Sequence, residues 1–189
     1  MVIVAYNPQW KKQFFEICEL LHQNLAGLFS IHHVGSTSIE GMFAKPIIDI
    51  DIEILDYNNF NTIKNELEKI GYCHEGDLGI PKRESFKRNG ILKNKILDTI
   101  QHHLYVCPSE SQELMQHLNF RNYLRTHNDA RDAYNAIKLE IIKKYGNDNR
   151  EKYVESKETD YKEYFQHIIN IANKLYANEK EQPLKIDKY

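Results

Sequence analysis

His33-Val34-Gly35-Ser36-Thr37-Ser38 and, one loop later, Lys45-Pro46-Ile47-Ile48-Asp49-Ile50-Asp51-Ile52-Glu53-Ile54 are the stretch whose reading decides the fold. Ile31 to Val34 reads as a strand that runs into a Gly-Ser turn. Such a turn exposes backbone N–H groups and hydroxyls that suit a triphosphate, especially where a helix begins just after it. The segment Ile47 to Leu55 alternates: Ile48, Ile50, Ile52 and Ile54 point one way, and Asp49, Asp51 and Glu53 the other. Aspartates at i and i+2 of a strand share a face and lie close enough to share divalent cations. Two Mg²⁺ ions about 4 Å apart steady the attacking and leaving oxygens of an in-line nucleotidyl displacement. Either half alone is commonplace, since an Asp-x-Asp on a strand is more often its solvated face. Their order and separation carry the weight.

Upstream, Val2 to Ala5 reads as a short strand and Asn7-Pro8 as the start of a helix, with Asn7 as N-cap. Trp10, Phe14, Ile17, Leu21 and Leu25 form its apolar stripe. Downstream, Asp56 caps a second amphipathic helix carrying Tyr57, Phe60, Ile63, Leu67 and Ile70, stopped at Gly71. A strand near Tyr72 to Glu75 follows, then a loop through Gly76, Gly79 and Pro81. Two β-like segments come next, Glu84 to Arg88 and about Leu97 to Cys107. Beyond Pro108 the pattern turns helical: Glu110 to Arg125, Ala130 to Tyr145 and about Tyr153 to Tyr176. The fold class expected is α/β (α+β), a mixed sheet flanked by helices with an appended C-terminal helical layer. One domain over 1–178 is expected, with a charged, frayed tail over 179–189.

The chain has 189 residues, 41% of them hydrophobic, enough for one sizeable core and short for two ordinary domains. Lys plus Arg (25) nearly balance Asp plus Glu (27), so no global basic field draws the protein onto nucleic acid or anionic membrane. Cys18, Cys73 and Cys107 are scattered, with no CxxC pair, and read as small apolar residues. No signal-peptide pattern opens the sequence and no apolar run has membrane-spanning length, so the expected location is the cytoplasm.

The run from His33 through Pro46 to Ile50 resembles the hallmark of the GrpB family, an HVGST stretch leading into KPIIDI. Further matches are Gly71-Tyr72, Gly79-Ile80-Pro81-Lys82-Arg83, His102-His103-Leu104-Tyr105-Val106 and Phe120-Arg121-Asn122-Tyr123-Leu124-Arg125, in the family's order. The resemblance implies a nucleotidyltransferase-like core with Gly35 and Ser36 in the nucleotide-facing turn and Asp49 and Asp51 as the metal pair. It also exposes a departure. Active nucleotidyltransferases usually add a third carboxylate from a later strand, and Gln101 to Val106 contains no acid. His103 or His102, Glu53, or Asp98 are the candidate substitutes. Imidazole suits transition metals better than Mg²⁺, which favours phosphate binding by the histidines. Strand alternation puts His102 on the core side and His103 on the other.

The remaining candidates are cationic. Lys45 precedes the carboxylate strand, and Lys82, Arg83, Lys87 and Arg88 form a basic rim that a solvated strand edge would equally produce. Arg121 and Arg125 share a helix face and either reach the cleft or pair with Glu110 and Glu113. His32 reads as an ordinary strand residue, and His33 stays undecided. The leading expectation is a nucleotidyltransferase that takes a nucleoside triphosphate, Mg²⁺ or Mn²⁺ and an unknown acceptor. In it Asp49, Asp51 and His103 are catalytic, and Gly35, Ser36, Thr37, Lys45, Arg83, His102, Arg121 and Arg125 bind nucleotide. Asp51 or Glu53 would activate the acceptor hydroxyl. The rival is a non-catalytic nucleotide- or phosphometabolite-binding module. Nucleic-acid binding is a third reading, weakened by the charge balance.

Overall fold

Alternation along Ile48–Ile54 (β2) places four isoleucines against one side of a sheet and three carboxylates on the other, and this division organises the molecule. The computed structural model describes residues 1–176. Five strands, Phe29–Val34 (β1), β2, Tyr72–Gly76 (β3), Glu84–Arg88 (β4) and His102–Pro108 (β5), form one mixed sheet in the order β1-β2-β5-β4-β3. β2 and β5 run parallel, with Asp49 beside His103 and Asp51 beside Tyr105. The other neighbours are antiparallel, and β1 sets His32 opposite Asp51 and Val34 opposite Asp49.

The isoleucine face packs on Gln9–Asn24 (α1) and Phe60–Lys69 (α2), whose stripes Trp10, Phe14, Ile17, Leu21 and Phe60, Ile63, Leu67 are buried with Leu104, Val106 and Phe86. Side chains of this size each contribute about 1.5–3 kcal/mol on full burial. The carboxylate face is covered by Gln112–Thr126 (α4), whose Leu114 and Leu118 meet Val34 and Cys107. Lys95–Thr99 (α3), Asn128–Tyr145 (α5), Arg150–Thr159 (α6) and Lys162–Tyr176 (α7) complete the α-helices of the described residues. The α/β architecture with a C-terminal helical layer stands as expected. No helix among the described residues is long and apolar enough to cross a membrane.

Several local expectations need correction. Val2 to Ala5 makes a single antiparallel bridge, Val4 to Ala44, and no strand. The N-cap position of α1 falls on Pro8, which has no side-chain cap, rather than on Asn7; the Asn7 side chain, one residue earlier, still accepts from the Gln9 N–H at 3.0 Å. Residues expected to open the fifth strand at Leu97 fold into α3 instead, because the Asn94 side chain accepts from the Ile96 and Leu97 N–H groups. The last helix is broken into α6 and α7 around Asp160 and Tyr161. The tail expected over 179–189 lies outside the described residues.

Candidate functional site

Gly35 ends β1 with φ +68° and ψ −174°, a conformation essentially reserved for glycine. A Cβ there would fall 2.1 Å from Asp49 Oδ2, so the bare glycine backbone is what lets the carboxylate sit against the turn. Ser36–Ser38 then form one turn of 3-10 helix. α4 grips this turn from both ends. Arg121 Nη1 donates to the His33 carbonyl at 3.0 Å, and Arg125 donates twice to the Ser38 carbonyl, at 3.1 and 2.9 Å.

The two aspartates have different surroundings. Asp49 is half-buried at the mouth, and its Oδ1 lies 2.8 Å from His103 Nδ1. Asp51 is fully buried, and its Oδ2 lies 2.7 Å from His117 Nδ1 on α4. His117 Nε2 faces Glu113 at 3.3 Å, and Glu113 faces Arg83 at 3.5 Å. Burial works against a charge on His117, but hydrogen bonds to Asp51 and Glu113 outweigh it and lift its pKa to about 10. Nδ1 thus meets the Asp51 carboxylate and Nε2 faces that of Glu113, which favours the charged form of the ring. The Arg83 guanidinium lies 4.7 Å from the Tyr105 ring centroid. Asp51 Oδ1 and Arg83 Nε are buried without a hydrogen-bond partner among the described residues.

Beside Asp49, a cavity of about 190 Å³ is lined by Ser36, Thr37, Lys45, His103, Lys138 and Lys157. Lys138, 2% exposed on α5, donates to Ser36 Oγ at 2.8 Å and to the Phe43 carbonyl, and sits 4.0 Å above the Tyr134 ring. Burial, reinforced by Lys157, holds its pKa well below the ordinary lysine range. Lys157 on α6 lies over the Phe165 and Tyr134 rings, at 5.3 and 5.9 Å. Lys45 lies over Tyr153 at 5.3 Å, its pKa lowered by burial and then by Arg150 and Lys157.

Of the residues expected from sequence, Gly35, Ser36, Thr37, Lys45, Asp49 and His103 come together here, with Asp51 and Arg83 just behind. Arg121 and Arg125 instead hold the main chain of the turn. His102 does not reach the carboxylates: it projects from the opposite face, hydrogen-bonded to Tyr72 Oη at 2.6 Å and to the Ile100 carbonyl at 2.7 Å. Asp98 is on α3 with Arg88, and Glu53 pairs with His32 at 2.7 Å, so neither replaces the third carboxylate. His33 lies beneath the turn rather than in the cavity beside Asp49, its Nε2 3.0 Å from Thr37 Oγ1. Sequence reasoning missed His117, Glu113, Lys138 and Lys157. The i,i+4 spacing of Glu113 and His117 was the available signal. The Lys and Glu residues over 143–162 read from sequence as a solvated face, and for Lys157 the packing on two rings corrects this.

Two carboxylates share one strand face, and one of their oxygens is buried and unpartnered, an arrangement that a cation or a donor would complete. Mg²⁺ commonly takes one or two protein carboxylates and fills its remaining positions with water and phosphate oxygens. The pair therefore fits such an ion, although among the described residues no cluster of three or more His, Cys, Asp or Glu is arranged to hold one by itself.

A Gly-Ser turn closing one strand, an Asp-x-Asp on its antiparallel neighbour and a parallel third strand beside it define a nucleotidyltransferase-like fold. More particularly, the chain belongs to the GrpB family, whose model, described as "GrpB protein", matches residues 1–168. It is 31% identical to UPF0157 protein YqkA of Bacillus subtilis over 157 residues, which are 82% of this chain and 43% of YqkA, so it spans less than half of that relative. The crystal structure of conserved protein GrpB from Enterococcus faecalis superposes with a TM-score of 0.75 at 29% identity, covering 93% of this chain and 99% of that one. The structure of Cid1 in complex with its short product ApU gives a TM-score of 0.51 at 12% identity, over 75% of this chain and 45% of Cid1. At that identity the likeness to Cid1, described as a poly(U) polymerase, concerns the fold alone.

Proposed function

We propose that this protein binds a nucleoside triphosphate over the Gly35–Ser38 turn and transfers its nucleotidyl group to an acceptor hydroxyl, the α–β phosphoanhydride bond breaking and pyrophosphate leaving as the new P–O bond forms. The observation that carries this reading is the buried, unpartnered Asp51 Oδ1 on the same strand face as Asp49. Ser36 and Thr37 offer hydroxyls and turn N–H groups to phosphate oxygens, and Lys45, Lys138 and Lys157 supply positive charge. A phosphate beside Lys138 offsets the burial that depresses its pKa and favours its ammonium form. His103, held by Asp49 and half exposed, meets the triphosphate or the acceptor at the mouth. A Mg²⁺ or Mn²⁺ ion held by Asp49 and Asp51 would supply Lewis-acid charge to the phosphoryl oxygens. Three free cysteines accord with a reducing compartment, and we place the activity in the cytoplasm.

A second reading, a module that binds a phosphorylated ligand without turning it over, is favoured by His103 and His117. Each already occupies one carboxylate oxygen, and no third carboxylate stands on β5. Calorimetric titration with ATP, GTP, CTP and UTP, each with Mg²⁺, Mn²⁺ or no metal, separates the readings. Metal-dependent binding that disappears in Asp49→Asn/Asp51→Asn, with the double variant still melting cooperatively, supports the transferase. Metal-independent binding selects the module. Absence of binding for all four triphosphates sinks the transferase and the nucleotide-binding form of the module, and leaves only a module for another phosphorylated ligand.

A further inference from the structure

A second cavity, about 550 Å³, opens beside the turn between α4, α5 and the α6–α7 pair. Its walls include Phe120, Tyr134, Phe165 and Ile169, and Gly35 and His117 form the side facing the carboxylates. Nothing in the phosphate-side chemistry uses it. The volume falls in the roughly 300–1,000 Å³ range of small-molecule sites, which are characteristically apolar with a few polar groups. Here Gln116 and Gln166 supply amide donors and acceptors. The rings are set edge-to-face, Tyr134 to Phe165 at 4.8 Å and Tyr134 to Phe120 at 6.1 Å.

Position argues for the occupant. Tyr134 and Lys157 wall both this cavity and the smaller one beside Asp49, while Gly35 borders the larger and Ser36 the smaller. A single ligand crossing the turn would therefore place a polyanion among lysines at one end and a planar, largely apolar group among aromatic rings at the other. A nucleoside triphosphate has this polarity, and aromatic side chains accept any nucleobase by stacking.

We infer that the Phe120–Tyr134–Phe165 pocket receives the nucleoside end of the triphosphate. This rests on the triphosphate reading above and adds to it the source of affinity for nucleotide over bare polyphosphate. The test is calorimetry of ATP, UTP and inorganic tripolyphosphate, all with Mg²⁺, against the wild type, Ile169→Trp, which fills the pocket, and Phe165→Leu, which thins its wall.

The wild type is expected to bind both nucleotides at least tenfold more tightly than tripolyphosphate. Ile169→Trp should bring the nucleotides to within about twofold of tripolyphosphate while leaving tripolyphosphate affinity unchanged, and Phe165→Leu should shrink the difference in the same direction. If Ile169→Trp also weakens tripolyphosphate, its packing is disturbed and Phe165→Leu decides. A wild type that does not distinguish nucleotide from tripolyphosphate, or variants that keep the full nucleotide advantage, would overturn the pocket assignment and leave the triphosphate reading standing. Failure of the wild type to bind any of the three would overturn both.

Discussion

His33 is two residues from the Gly-Ser turn, and its surroundings fix its protonation. Its ring stacks on Phe14 at 4.6 Å, and Thr37 Oγ1, which donates to the Ile47 carbonyl, leaves the Nε2 contact to be a donation from histidine. Burial, then the charges of Arg125 and Arg121, lower its pKa to about 3. Below the ordinary histidine pKa of about 6.5, the unfolded chain takes a proton that the folded one refuses, so stability falls as pH falls. At about 1.4 kcal/mol per pH unit this amounts to about 3 kcal/mol between pH 6.5 and pH 4, and it vanishes above pH 6.5. His33→Gln keeps a donor for Thr37 without the titration. Urea unfolding at the two pH values should show the wild type losing about 2–3 kcal/mol more than the variant. Equal losses would refute the assignment. The sequence left His33 undecided because its role depends on Phe14 and on two arginines from a distant helix.

At the scale of elements, what could be read was local periodicity. The isoleucine alternation gave β2, the Trp10-to-Leu21 stripe gave α1, and the turn-plus-carboxylate order gave half of the site. What could not be read came from elements meeting in space. Leu97 and Ile100 suit strand and helix alike by pattern, and it is the Asn94 cap that selects α3. His117, Lys138 and Lys157 reach the site only because α4, α5 and α6 fold over the carboxylate face, and no spacing in the chain reports that. α4 also settles Arg121 and Arg125, whose shared helix face was legible but not their targets. Arg121 is buried and bonds a buried carbonyl, whereas Arg125 is exposed. Arg121→Met should therefore cost about 2–3 kcal/mol and Arg125→Met less than about 1, by chemical denaturation at neutral pH. Equal, small costs would show that α4 does not hold the turn through Arg121.

For the whole molecule, the question is whether the sheet half and the helical half form one folding unit, as the expectation of a single domain requires. Polar side chains join them across long sequence separations. Asn147 accepts from the Val2 and Ile3 N–H groups at 2.8 and 2.9 Å. Asn135 accepts from Phe43 N–H at 2.8 Å and donates to the Gly41 carbonyl at 2.9 Å. Lys138 bonds Ser36, and Arg121 bonds the His33 carbonyl. Loss of the helical layer would leave buried groups of the turn and of the N-terminal segment without partners, at about 1–3 kcal/mol each. The two halves should therefore unfold together. Trp10, the single tryptophan, is buried on α1 behind the sheet, while the helices after Pro108 contribute most of the far-ultraviolet dichroism. Urea transitions followed by Trp10 emission and by dichroism at 222 nm, the usual helix band, should coincide in midpoint and slope. Helix loss at urea concentrations where Trp10 still emits as in the native protein would mean that the helical layer is a separable domain. The site, which takes its turn and carboxylates from one half and its lysines and His117 from the other, would then lie across a boundary able to open.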